Sequence, residues 1–65
     1  MIKLTRLNGT RLVINALLIE RVESTPDTLL TLTTGERILV KEPTDEVIRR
    51  VVQYGRLLRR LLEPS

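Results

Sequence analysis

The feature that most constrains the fold of this chain is a change in its hydrophobic period at Pro43. Before this proline, short segments alternate apolar and polar residues, as strands do because successive strand side chains point to opposite faces. After it, apolar residues recur at intervals of four, three, four and three, at Val47, Val51, Tyr54, Leu58 and Leu61. This spacing places them on one face of a helix. The sequence therefore predicts an α+β protein, with strands first and one long helix last.

The first 42 residues are expected to form a small five-stranded antiparallel sheet or a partial barrel. The strands are predicted at about residues 2–7, 12–14, 19–25, 29–33 and 37–42. Turn-forming residues separate them, at Asn8-Gly9, Asn15, Pro26-Asp27 and Thr34-Gly35. The Asn8-Gly9 pair favours a hairpin turn of type I′, in which both central residues have positive φ. The apolar side chains expected to share the inner face are Leu30, Leu32, Ile38 and Val40.

Two more local signals lie between the second and third predicted strands. The side chain of Asn15 is expected to cap a short helical turn at residues 16–18. Ile19 and Val22 are three residues apart, so a regular strand would place them on opposite faces. A β-bulge or a helical entry is therefore predicted between them.

The helix is predicted to span residues 44–62, with Asp45 and Glu46 at the positive end of its dipole. A helix of this length is about 28 Å long, whereas the strands of a small sheet are only about 17–20 Å long. The end of the helix should therefore extend past its own sheet. The leucines in this overhang are expected to form the interface of a homo-oligomer, and they are Leu57, Leu58, Leu61 and Leu62.

Composition excludes several classes of protein. The chain has 65 residues, and we expect residues 1–65 to form a single domain. It contains no cysteine and no histidine, so it forms no disulfide and lacks the commonest zinc ligands, the thiol nucleophile and the commonest general base. We therefore expect no enzymatic activity, no metal site and no cofactor. With no apolar run long enough to span a bilayer and no signal-peptide pattern, a cytoplasmic protein is expected.

The polar face of the predicted helix carries three candidate partner-binding residues, Arg49, Arg56 and Arg60. Such a face can simply be solvated, and long arginine stems can also cover apolar surface. Three functional interpretations stay open: docking to an acidic protein, peripheral contact with an anionic membrane, and contact with nucleic acid. The net charge of +3 is too small to favour nucleic acid by itself.

Three segments, "MIKLTRLNG", "IERVESTPDTLLTLTTGERILVKE" and "DEVIRRV", occur in a characteristic order. In this order and spacing the chain resembles the flagellar FlbD family, also called swarming motility protein SwrD, over about residues 1–53. The residues that match the family pattern are Leu4, Thr5, Leu7, Asn8, Gly9, Asn15, Ile19, Glu20, Glu23, Pro26, Asp27, Thr28, Gly35, Val40, Glu42, Glu46 and Val47. Among them, the turn positions of the family motif are Asn8, Gly9, Asn15, Pro26, Asp27, Thr28 and Gly35.

The resemblance implies a non-enzymatic accessory protein of the bacterial flagellum. Such a protein would support swarming and motor power through contacts with motor or basal-body proteins, at the cytoplasmic face of the motor. The chain departs from the family pattern at Ala16-Leu17, where members often carry Pro-Asp, and at Pro43, where they often carry Ser. The segment after Tyr54 is also longer and richer in leucine than the family pattern.

A second resemblance is to the carbon storage regulator family, small RNA-binding post-transcriptional regulators that form interlocked dimers. The opening "MIKLTR", five short strands and a final helix are similar to that family. It implies that Arg6, Lys41 and the helix arginines contact RNA. However, the segment 40–42 lacks the arginine expected there, and Tyr54 is the only aromatic residue available for base stacking.

Overall fold

The computed structural model describes residues 1–24 and 26–62. The elements follow in the order β1 (Ile2–Thr5), β2 (Arg11–Ile14), a 3-10 turn (Ala16–Leu18), β3 (Ile19–Ser24), β4 (Thr28–Leu32), β5 (Arg37–Val40) and α1 (Thr44–Leu62). This order confirms the α+β class and the single C-terminal helix, which begins at the predicted residue Thr44. Thr25, the predicted last residue of the third strand, lies outside the described residues.

The described strands form two antiparallel sheets, so the prediction of a single five-stranded sheet is wrong, and no closed barrel forms among them. The first sheet pairs β1 with β2, with Ile2 opposite Ile14 and Leu4 opposite Leu12. The second sheet has the order β3-β4-β5. Every pairing joins strands that are consecutive in the chain, which is why local alternation and turn signals located the strands.

The two sheets meet at a single bridge between Arg6 and Val40. There the Lys41 N–H donates to the Thr5 carbonyl at 2.8 Å, and the Leu7 N–H donates to the Leu39 carbonyl at 3.3 Å. Beyond the bridge the chain turns at Pro43 into α1, because proline has no N–H with which to continue a ladder. The pairing of β5 with β1 therefore stops almost as soon as it begins.

Side chains take the place of the missing strand along the edge of β1. The Thr5 N–H donates to Glu42 Oε1 at 2.9 Å, and the Arg50 guanidinium donates to the Lys3 carbonyl at 2.5 Å. Backbone groups at a strand edge need partners wherever water is partly excluded. Two side chains from the helix and its entry supply them here.

The core lies between the two sheets and the first turns of the helix. The predicted inner face of β4 and β5 is confirmed, since Leu30, Leu32, Ile38 and Val40 are all buried. Val47 is the buried residue that α1 contributes, and Leu39 points the other way with 45% of its surface exposed. The full set of buried apolar residues is Ile2, Leu4, Ile14, Ala16, Leu30, Leu32, Ile38, Val40 and Val47.

The two hairpin loops share one geometry, which differs from the predicted type I′ turn. In the first, the Gly9 N–H donates to the Arg6 carbonyl at 2.9 Å and the Arg6 N–H donates to the Thr10 carbonyl at 2.8 Å. Gly35 closes the second loop with the same pattern of bonds. Both glycines have φ of 92°, whereas Asn8 does not have positive φ. These are three-residue loops with a glycine in the left-handed region, so the type I′ prediction is wrong.

The two remaining local predictions are confirmed. The Asn15 side chain accepts a hydrogen bond from the Leu17 N–H at 3.0 Å and caps the 3-10 turn. The pairing of β3 with β4 shifts register between Ile19 and Arg21, which is the predicted bulge.

Gly9→Ala and Gly35→Ala are each expected to lower the free energy of unfolding by about 1–2 kcal/mol, because an L-residue in the left-handed region is strained. No atom lies within 4 Å of a Cβ built at either position, so the cost is conformational. Gly55→Ala is the control: it lies in α1 with equally open space, and alanine there should raise stability by about 0.5–1 kcal/mol. Chemical denaturation measures the stability of all three variants. If Gly55→Ala were destabilised as well, the cost at Gly9 and Gly35 could not be assigned to their left-handed conformation.

Candidate functional site

The C-terminal end of α1 projects beyond the sheets. Val51 and Tyr54 pack against the core, but no described residue after Tyr54 belongs to it. Leu57 is 56% exposed, and Leu61 and Leu62 are each 75% exposed. Leu58 is half-buried. Of the four leucines predicted to overhang the sheets, Leu57, Leu61 and Leu62 are exposed and Leu58 is not fully so. We call residues 55–62 the projecting helix end; the homo-oligomer expected from it stays a prediction.

An open groove of about 620 Å³ lies between the β1–β2 hairpin and α1. Its apolar lining includes Met1, Tyr54 and Leu57, and Met1 is 66% exposed. Its charged lining consists of three cations, Lys3, Arg11 and Arg50, and a single acid, Glu42. We call it the basic groove. Leu57 lines the basic groove and also belongs to the projecting helix end, so the two features form one continuous surface.

Glu42 is the electrostatic centre of the basic groove and is only 14% exposed. Its Oε1 atom accepts from the Thr5 N–H at 2.9 Å, and its Oε2 atom lies 3.5 Å from the Arg50 guanidinium. The pKa of Glu42 lies below its ordinary value. Partial burial, taken alone, would raise it. The hydrogen bonds from the backbone N–H groups of Thr5 and of Glu42 itself, together with the Arg50 charge, outweigh this effect of burial.

Sequence patterns did not identify Glu42 or Arg50 as functional residues. Their partners are backbone atoms of β1, and Thr5 is 37 residues from Glu42 in the chain. The available signal was the family motif, in which Glu42 is one of the matching positions before the helix.

The predicted arginine face divides into paired and unpaired residues. Arg49 donates to both carboxylate oxygens of Glu46, at 2.7 and 2.6 Å. This bond lowers the pKa of Glu46 and raises that of Arg49. By contrast, Arg56 and Arg60 are exposed, and neither forms an ion pair with a residue in the described part of the chain. Arg49 is therefore paired within its own helix, and the partner-binding role expected of Arg49, Arg56 and Arg60 stays a prediction.

The turn residues of the family motif serve the fold and do not converge on one site. Asn8, Gly9, Asn15 and Gly35 lie in the loops described above, at the ends of different strands. Pro26, Asp27 and Thr28 lie at the connection from β3 to β4, where Thr28 is buried and pairs with Ser24 and Val40. These three residues also line a small hollow beside the entry to α1. Their shared role is to define turns and the packing of the helix entry.

In residues 1–24 and 26–62, no group of three or more acidic residues is arranged to hold a metal ion. No helix in this part of the chain combines the length and the apolar character needed to cross a membrane.

Glu42→Ala is expected to lower the free energy of unfolding at pH 7 by about 1–2 kcal/mol, because the Thr5 N–H loses its acceptor and the Arg50 guanidinium loses the negative charge 3.5 Å away. Glu20→Ala is the control, since Glu20 is exposed on β3 and makes no ion pair with a described residue. Urea denaturation of both variants measures the difference. Equal stability of the two variants would contradict a structural role for Glu42.

The stability of the protein should also depend on the ionisation of Glu42. Its pKa lies below the ordinary value of 4.5 in the folded chain, so its contribution is present above that value and is lost as the pH falls through the folded-state pKa. Glu42→Gln cannot ionise, and its unfolding free energy should fall less steeply than that of the wild type below pH 4.5. Denaturation at a series of pH values tests this, with Glu20→Gln expected to follow the wild type.

A comparison with protein-family models matches residues 1–58 to the family described as flagellar and swarming motility proteins, FlbD. No curated protein and no solved structure matches the chain. The match favours the flagellar resemblance over the resemblance to RNA-binding regulators, and it reaches Leu58, which includes the first half of the projecting helix end. Because it covers 58 of 65 residues, the chain belongs to the FlbD family of flagellar and swarming motility proteins.

Proposed function

We propose that this protein is a non-enzymatic accessory of the bacterial flagellum that supports swarming and motor power through protein–protein contacts. Family membership supports the flagellar and swarming role. The observation that supports action through contacts is the projecting helix end, where Leu57, Leu61 and Leu62 are more than half exposed. Clustered apolar side chains of this kind mark interaction surfaces.

The titratable groups with shifted pKa values support a role without catalysis. Glu42, Glu46 and Arg49 are each engaged with a neighbouring side chain or with the backbone. Ion pairs and hydrogen bonds of this type stabilise a fold, whereas a general acid or base needs a free site for the reacting proton. The chain also has no cysteine or histidine to act as nucleophile or base.

The proposed place of action is the cytoplasmic face of the flagellar motor. Family membership supports a flagellar setting, and the absence of cysteine is compatible with a reducing compartment. A small protein with an exposed apolar helix end is suited to binding a larger assembly, because association buries the surface that its own core leaves open.

Deletion of the gene in its own host is expected to reduce swarming and the torque of the flagellar motor while leaving flagella assembled. Expression of the wild-type protein in the deletion strain should restore both properties. Swarm expansion and the rotation of tethered cells are the measurements. Unchanged swarming, swimming and torque in the deletion strain would contradict the proposal.

A matched pair of variants tests whether protein contacts carry the function. The double variant Leu57→Ser/Leu61→Ser removes apolar side chains that are 56% and 75% exposed, so it should fold normally but fail to restore swarming. Leu17→Ser is the control, because Leu17 is 65% exposed but lies on the 3-10 turn outside the basic groove. Immunoblots and circular dichroism establish equal expression and folding. Full complementation by the double variant would contradict a role for the projecting helix end.

A further inference from the structure

We infer that the projecting helix end and the basic groove together form a docking surface for an acidic amphipathic helix of a partner protein. This inference rests on the proposed function, since it specifies the chemistry of the partner that such contacts require. It depends on three properties of the surface: an apolar stripe without a cover, an excess of positive charge beside it, and a concave shape.

The apolar stripe of α1 is used along only part of its length. Val47, Val51 and Tyr54 cover the core of the protein, and the same stripe continues through Leu58 and Leu61 beyond the sheets at the same spacing of four and three residues. This spacing is the one by which two helices pack side by side with interlocking side chains. The sheets cover the apolar stripe along the first turns of α1. A second helix packed along the projecting helix end would cover the rest of the stripe in the same way.

The charges around this stripe are almost all positive. Residues 47–62 contain five arginines and no acidic residue. Arg49 and Arg50 are within 4 Å of acids at the start of the helix, but Arg60 on the projecting helix end forms no ion pair with a described residue. The basic groove adds Lys3 and Arg11 to the same surface. Its one acid, Glu42, already accepts from the Thr5 N–H and faces Arg50.

The excess of positive charge favours an acidic helix of a partner protein over a second copy of this chain as the molecule that binds here. A second copy of this chain that docked through the same surface would add the cations Lys3, Arg11 and Arg60 to the interface a second time, and an excess of like charge opposes association. A helix that carries acidic residues beside its apolar stripe would instead place carboxylates against Arg60 and the cations of the basic groove. Acidic side chains flanking the stripe are therefore the property that we assign to the partner.

The shape of the surface favours a helix over a membrane. An interfacial helix lies on a bilayer with one convex face. Here Leu57 joins the projecting helix end to a groove of about 620 Å³ that is lined by Met1 and Tyr54. A flat bilayer surface would leave this groove unfilled, whereas the side chains of a packed helix would enter it.

The test is a titration of the full chain with a fluorescein-labelled designed peptide of about three heptads, with leucine at the a and d positions and glutamate flanking them. Two control peptides have lysine in place of every glutamate, or serine in place of every leucine. Fluorescence anisotropy should show saturable binding of the acidic peptide and binding at least about tenfold weaker for each control. Binding should weaken as salt is raised, because exposed charges are screened.

Variants of the protein locate the binding surface. Leu57→Ser/Leu61→Ser and Lys3→Glu/Arg60→Glu should each weaken binding of the acidic peptide by about tenfold or more. The controls Leu17→Ser and Arg37→Glu change residues that are also exposed but lie outside the groove lining. Both controls should bind as the wild type does. Circular dichroism establishes that each variant is folded.

Several outcomes would overturn the inference. They are no binding of the acidic peptide, equal binding of the lysine peptide, or unchanged binding by both surface variants. Displacement of the bound peptide by vesicles of anionic phospholipid would assign the surface to a membrane. Sedimentation of a dimer that Leu57→Ser/Leu61→Ser dissociates would assign the surface to a second copy of the chain.

The genetic test separates this inference from the proposed function. If both surface variants restore swarming in the deletion strain, the inference fails while the flagellar role stands. If the deletion itself has no effect, the proposed function fails.

Discussion

The carboxylate of Glu42 connects the parts of this structure that the backbone does not join. One oxygen accepts from the Thr5 N–H at the edge of β1, and the other lies 3.5 Å from the Arg50 guanidinium on α1. Arg50 in turn donates to the Lys3 carbonyl on the same edge. Sheet, helix entry and helix are thus held together by two side chains. Together with the buried Val47, they tie the first turns of the helix to the sheets.

The position of the helix determines the rest of the surface. The first turns of α1 pack against the sheets. The apolar residues on this face therefore cover the core as far as Tyr54, whereas Leu61 on the same face is exposed to solvent. The same docking leaves the basic groove open between the helix and the β1–β2 hairpin. An interaction that stabilises the fold therefore also presents the leucines and cations that we assign to partner binding.

Most local structure could be predicted from the sequence because it depends on neighbouring residues. The cap at Asn15, the bulge after Ile19 and the bounds of α1 follow from side chains within a few positions. The loop at Gly9 was placed correctly, but its type was not. Asn-Gly is compatible with several hairpin loops, and the choice depends on whether Asn8 has positive φ, which the flanking strands decide.

The sequence by itself determined the class of the protein, its strands and helix, the shared inner face of β4 and β5, and the overhang of the leucines. These depend on hydrophobic period and on length, which are properties of consecutive residues. Only the tertiary structure decided that five strands form two sheets, that Glu42 and Arg50 bind backbone atoms of β1, and that a groove joins the projecting helix end. The reason is physical: the partners of Glu42 and Arg50 are backbone atoms on β1, far away in the chain, and no local pattern records such a contact.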